Sequence, residues 1–173
     1  MTIKKQTIKQ RVSYWLKQLL ILIVMFSAIA WVVDQWRSRD VEVNNFPSIS
    51  GLSLTGEAID VTVLSAEEPV LVYFWGTWCP VCRSVSPSVE SIANFYPVVS
   101  VAIASGSNSE INDYMQEHGY HFPVINDADN RSASDWSVHV TPTLIIIKEG
   151  RLQSYTSGFT SLPGIWWRMW LAS

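Results

Sequence analysis

Apolar residues fall into two kinds of run along this chain. One is long and continuous. Residues 19–33 contain no charge and one polar side chain, Ser27. With residues 14–18 added, the run approaches the ~20 residues that span a bilayer, and Lys17 lies near enough to one end to snorkel. The other kind is short. Val70–Trp75 (VLVYFW), 98–104 and 143–147 (TLIII) are rich in strand formers and read as strands buried on both faces. Helical spacing appears between them, over 83–96 with Pro87 inside and over 109–118, where an Asn or Ser caps the start and Gly119 closes the end. Shorter features complete the pattern: a hairpin or two over 49–63, a short strand over 122–125, an acidic turn over 126–130 and a short helix over 132–136. The turn 148–151 leads into a strand from Leu152, and a tryptophan-rich helix covers 162–171. Strands alternating with helices predict an α/β domain with helices on both faces of the sheet, and the late strand–turn–strand makes part of that sheet antiparallel.

Charge divides the chain at the long run. Lys4, Lys5, Lys9, Arg11 and Lys17 come before its end with no acid among them, and all fifteen acids follow it. The positive-inside rule then places the N-terminus in the cytoplasm and the rest across the membrane. The organisation predicted is a basic leader (1–13), a transmembrane signal anchor (14–36), a tether (37–45) and a folded domain (46–173). Ala28-Ile29-Ala30 fits a signal-peptide cleavage pattern, but Trp31, Val32 and Val33 continue the apolar run beyond it, which favours an uncleaved anchor. The part after the run carries seven basic and fifteen acidic residues, a formal −8, which argues against nucleic acid as a partner.

The two cysteines, Cys79 and Cys82, stand three positions apart. An exported domain meets oxidising surroundings, yet a bridge across two residues closes too small a loop to constrain the unfolded chain. Chemistry explains the pair better than stapling does. The pair follows a buried strand and precedes a helix, which puts Cys79 at the helix N-terminus. Unpartnered amides and the aligned peptide dipoles favour a thiolate there. Pro80 suits the first helical position. Cys79 is expected exposed, as the nucleophile, and Cys82 more buried, as the resolving thiol.

The sequence Phe74–Pro87 (FWGTWCPVCRSVSP) resembles the thioredoxin family: apolar strand, Trp-Cys-x-x-Cys, then a helix with a proline eight residues after the first cysteine. The resemblance extends over about 46–172 and implies a thioredoxin fold, here with an added N-terminal hairpin. It also implies a cis-proline facing the cysteines, for which Val140-Thr141-Pro142-Thr143 is the match, with Thr141 and Pro142 positioning substrate. Trp78, Pro80 and Val81 would complete the substrate surface. The chain is most similar to membrane-anchored TlpA-like oxidoreductases, within them to the suppressor for copper sensitivity D group. That likeness implies a periplasmic dithiol–disulfide oxidoreductase acting on protein thiols, an electron donor of the DsbD type, and no organic cofactor. Thioredoxin keeps an acid where Tyr73 stands, and cytochrome-maturation reductases keep a glutamate near Val85. With neither present, an intermediate potential is expected and the direction stays open, with reduction of substrates favoured.

Other residues carry weaker signals. Zinc needs more ligands than two thiols, and His118 and His121 are too close together to supply them. Two thiolates do suit Cu(I), so a copper-binding module is the alternative. His139 precedes Pro142 by three residues and is read as a surface histidine. Trp75 is assigned to the core. Leu162, Ile165, Trp166, Met169 and Trp170 form a stripe expected to pack on the sheet, and Asp127, Asp129 and Asp135 are read as a solvated turn.

Overall fold

The structure is a computed structural model that describes Trp15, residues 17–22, Met25 and residues 49–173. The chain divides into two units, Met1–Asp40 and Val41–Ser173. The described residues of the first unit are helical, and their large apolar side chains, Trp15 and Leu19 to Leu22 among them, are exposed. Among the described residues no helix is long and apolar enough to cross a membrane. The leader over 1–13, the tether over 37–45 and most of the anchor over 14–36 lie outside the described residues.

In the second unit, the VLVYFW run forms β3 (Val70–Trp75), with all six side chains buried. A strand alternates its side chains between two faces, so a continuous apolar run must be covered on both. Leu71, Tyr73 and Trp75 enter one core and Val70, Val72 and Phe74 the other. Parallel β4 (Val98–Ile103) lies on one side of β3 and antiparallel β6 (Thr143–Lys148) on the other. β5 (Val124–Asp127) and β7 (Arg151–Ser157) complete the five-stranded order β5-β4-β3-β6-β7. The mixed sheet agrees with the expected one. β1 (Ser50–Leu52) and β2 (Ala58–Asp60) form a separate antiparallel hairpin.

Helices cover both faces. α1 (Val61–Leu64) and α4 (Arg131–Asp135) supply Val61 and Ala133 to one core. α2 (Pro80–Ala93), α3 (Asn108–His118) and α5 (Leu162–Ala172) serve the other. In α2, Val85, Val89 and Ile92 recur at helical spacing and are fully buried, each worth about 1.5–3 kcal/mol of burial. α3 starts at a reciprocal capping box between Ser107 and Glu110 and ends at Gly119, whose φ of 67° suits glycine. Hydrogen bonds from the backbone and side chain of Ser107 hold the Glu110 carboxyl below its usual range.

α2 begins at Pro80 with Cys79 as its N-cap, as the residues of the cysteine turn imply. Two expectations need correction. The stripe on α5 is only partly buried: Ile165 and Met169 enter the core, but Trp170 is 58% exposed and Trp166 lies at the surface. Asp127 is no solvated turn residue. It is buried, and its carboxylate accepts the amides of Ser132 (3.0 Å) and Ala133 (2.9 Å) at the start of α4.

Candidate active site

The strand-to-helix turn after β3 sets the site. Cys79 is the N-cap of α2, with extended backbone (φ −92°, ψ 110°), and Pro80 follows in the first turn. The Cys79 amide donates to the Gly76 carbonyl at 3.1 Å, closing the turn. Cys79 and Cys82 form a disulfide with their Cα atoms 5.3 Å apart. The Cys82 N–H donates to Cys79 Sγ at 3.2 Å, so the first sulfur receives an otherwise orphaned helix amide.

Both cysteines are buried in this oxidised form, Cys79 at 3% exposure. That corrects the expectation of an open Cys79. Its sulfur turns back over the first helical turn, toward the Cys82 amide and sulfur, and away from solvent. Pro80 and Val81 do lie at the surface.

Trp78 is 56% exposed yet fixed. Its indole N–H donates to the Ile103 carbonyl at 3.0 Å. A Cβ on Gly76 would sit 2.6 Å from indole atoms Nε1 and Cε2, so glycine is what lets the ring lie against the turn. The Thr77 amide donates to the Ser105 hydroxyl at 3.1 Å, tying the same turn to the end of β4. Trp75 lies in the core as expected, stacked with Tyr73 at 6.2 Å between ring centroids.

The Thr141–Pro142 peptide is cis. Thr143 pairs with Phe74, so the register brings Pro142 alongside the C-terminal end of β3, where the cysteine turn starts. A cavity of about 360 Å³ opens there, between Trp78, Ile103, Ala133, His139, Val140 and Thr141. His139, read as a plain surface histidine, thus shares a cavity wall with Trp78 and Thr141. Its three-residue offset from Pro142 was the signal for that.

Beneath Cys82 lies a feature that no spacing rule exposes. The Tyr73 and Ser86 hydroxyls are 2.9 Å apart, and both donate to the Cys82 carbonyl, at 3.3 and 2.9 Å. Tyr73 is fully buried, and burial pushes its phenol well above the usual tyrosine range, so it stays neutral. Two neutral hydroxyls therefore lie against the Cys82 backbone, and one of them, Tyr73, stands where the thioredoxin resemblance implies an acid. His121 is not near this centre. It pairs with Glu90 at 2.9 Å on the surface, and the His118 ring bonds the Tyr114 carbonyl. Among the described residues no group of three or more His, Cys, Asp or Glu is placed to hold a metal.

Chemically, a disulfide between a helix N-cap and its first turn, beside an apolar cavity and an extended proline loop, suits two-electron exchange with another disulfide or dithiol. Comparisons with known proteins point the same way. A family model described as thioredoxin-like matches residues 67–151. The chain is 36% identical to a thioredoxin-like protein of Haemophilus influenzae over 163 residues, covering 94% of this chain and 97% of that one. It is 24% identical over 147 residues to thiol-disulfide oxidoreductase ResA of Bacillus subtilis, covering 80% and 82%. The crystal structure of StoA from Bacillus subtilis shares the fold, with a TM-score of 0.62, 18% identity, and coverage of 73% of this chain and 98% of that one.

Proposed function

The chain belongs to the thioredoxin-like family of thiol–disulfide oxidoreductases, and from that premise we propose that Cys79 is its nucleophile and Cys82 its resolving thiol. In the reducing direction, the Cys79 thiolate attacks one sulfur of a substrate disulfide. A mixed disulfide forms, and the displaced substrate thiolate leaves and takes a proton. Cys82 then loses its proton and attacks Cys79 Sγ. This restores the Cys79–Cys82 bond and releases the second substrate thiolate. Two electrons pass from the enzyme dithiol to the substrate, and the reverse sequence oxidises a dithiol. The electrons reside in the two sulfurs, so the cycle needs no organic cofactor.

Substrate is a protein segment laid beside the disulfide, with Thr141 and Pro142 offering backbone and Trp78, Pro80 and Val81 offering apolar surface. The exposure of Trp78, Pro80 and Val81 and the cavity beside them support that role. The enzyme is tethered to the inner membrane by residues 14–36, with its catalytic domain in the periplasm. A transmembrane donor of the DsbD type reduces it, and it in turn reduces substrates, as a member of the suppressor for copper sensitivity D group. The basic leader, the charge-free run over 19–33 and the exposed apolar helical residues of the first unit support the tether.

The observation that carries the reading is Cys79 at the N-cap of α2, receiving the Cys82 amide on its sulfur. Cys82→Ser tests it, because without the resolving thiol the mixed disulfide cannot be released. Full-length C82S expressed in cells should accumulate protein adducts that dithiothreitol reverses and that vanish in C79S/C82S. Adducts that persist without Cys79, or none at all, would overturn the assignment.

A further inference from the structure

The end of the second unit opposite the disulfide carries an apolar surface. On α5, Ile165 and Met169 face the core, while Trp167, Trp170 and Leu171 are 58%, 58% and 62% exposed. Trp167 packs on Trp170 with ring centroids 5.2 Å apart. Trp166 packs on Phe95 at 5.4 Å, and Phe95 is itself 64% exposed. Val63 and Leu64 of α1 are exposed as well, and they border the same cavity of about 530 Å³ as Tyr96, beside Phe95.

Phe95 follows the C-terminal end of α2, and Cys79 caps its N-terminal end. At 1.5 Å rise per residue, about 20 Å of helix separates the two. The chain enters the domain at the end that holds Phe95. Ile49, its first described residue, accepts the Val61 amide at 2.9 Å, next to the exposed Val63.

We propose that this end of the domain rests on a lipid bilayer, with Trp167, Trp170 and Phe95 at head-group level and the Cys79–Cys82 disulfide facing away from it. The inference rests on the membrane tether proposed above. Residues 37–48 reach at most roughly 40 Å when fully extended, so the tether keeps the domain at high local concentration at the surface. Indole rings carry an apolar body and an N–H, which suits the membrane interface. Residues 91–97 and 162–172 contain one charged side chain, Arg168, in a part of the chain that is otherwise acidic. Glu67, Glu68 and Glu149 lie toward the same end together with Lys148 and Arg151, so the charges there come close to balance and give no net pull toward anionic lipid. A zwitterionic interface is the occupant that fits. The arrangement would hold the active site about one helix length above the membrane, open to protein substrates.

The full-length chain, labelled with 5-fluorotryptophan, is placed in phosphatidylcholine nanodiscs containing a lipid with a nitroxide at its head group. Resonances are assigned by single Trp→Phe substitutions. Trp167 and Trp170 should lose intensity roughly twofold or more relative to Trp78, as expected for interfacial rings. If Trp31 and Trp36 are broadened while Trp167 and Trp170 match Trp78, the tether stands and this inference is overturned. If none of Trp15, Trp31 and Trp36 is broadened, the tether fails and the inference falls with it. Broadening of Trp167 and Trp170 that follows protein concentration without the spin label would assign the surface to a second copy and also overturn it.

Discussion

Gly76→Ala tests the packing of the Trp78 indole against the cysteine turn. The three nearest atoms to a Cβ at Gly76 all belong to the Trp78 indole, at 2.6, 2.6 and 3.1 Å. The two shorter separations are below any real Cβ contact, so the ring must leave its place. Leaving breaks its hydrogen bond to the Ile103 carbonyl, a loss of about 1 kcal/mol. Crowding adds at least about 1 kcal/mol. Against this, replacing glycine restricts the unfolded chain and returns roughly 0.4–1 kcal/mol. The Ile103 carbonyl keeps a second donor, the Ser105 hydroxyl at 3.0 Å, so it is not orphaned. The net expectation is a destabilisation of about 1 kcal/mol. In a Trp78→Ala background the obstructing ring is gone, and the same substitution should become stabilising by about 0.5 kcal/mol. Urea unfolding of the oxidised wild type, both single variants and the double variant gives the coupling directly. Equal destabilisation in both backgrounds would refute the steric coupling.

Other predictions follow from individual contacts. Tyr73→Phe should cost about 1 kcal/mol at pH 8, since Ser86 still donates to the Cys82 carbonyl when the phenol is gone. The buried phenol has a raised folded-state pKa. Its contribution is therefore complete below about pH 10, the ordinary tyrosine value, and is lost as pH climbs from there toward the raised value. The unfolding free energy measured from pH 8 to 11 should fall less steeply in Tyr73→Phe, though not flatten, because Tyr120 and Tyr155 are also raised, chiefly by burial. Asp127→Ala removes the acceptor for two amides of α4 and should lower stability by about 2 kcal/mol, with a matching drop in urea midpoint. His121→Ala breaks a pair whose histidine side chain is 83% exposed and should change the same midpoint by less than about 0.5 kcal/mol.

The three central strands were legible because each is a run of strand formers buried on both faces, a pattern that needs no knowledge of what lies opposite. The cysteine turn was legible for a similar reason: Pro80, Cys79 and the preceding strand are all local signals. What escaped depends on contacts between distant residues or on elements too short for a period. α1 spans four residues and is held by the Asp60 carboxylate at its start, which cannot be separated from a turn by spacing. Asp127 looks solvated among polar neighbours, and only the position of α4 reveals it as a buried cap. The Tyr73–Ser86 contact needs the register of α2 against β3. The burial of Cys79 follows from its sulfur turning onto the helix, which the residue type leaves open. On α5 the spacing gave the inward line of Ile165 and Met169, but not where the apolar face ends, because Trp166 and Trp170 continue the same pattern into solvent.

In the proposed mechanism the N-terminus of α2 makes Cys79 a reactive anion. The direct measurement is the rate of iodoacetamide modification of reduced full-length C82S, followed from pH 4 to 10. A titration midpoint below the ~8.5 of an ordinary cysteine thiol, with fast modification at neutral pH, is the predicted result. A midpoint at or above ~8.5 would contradict it.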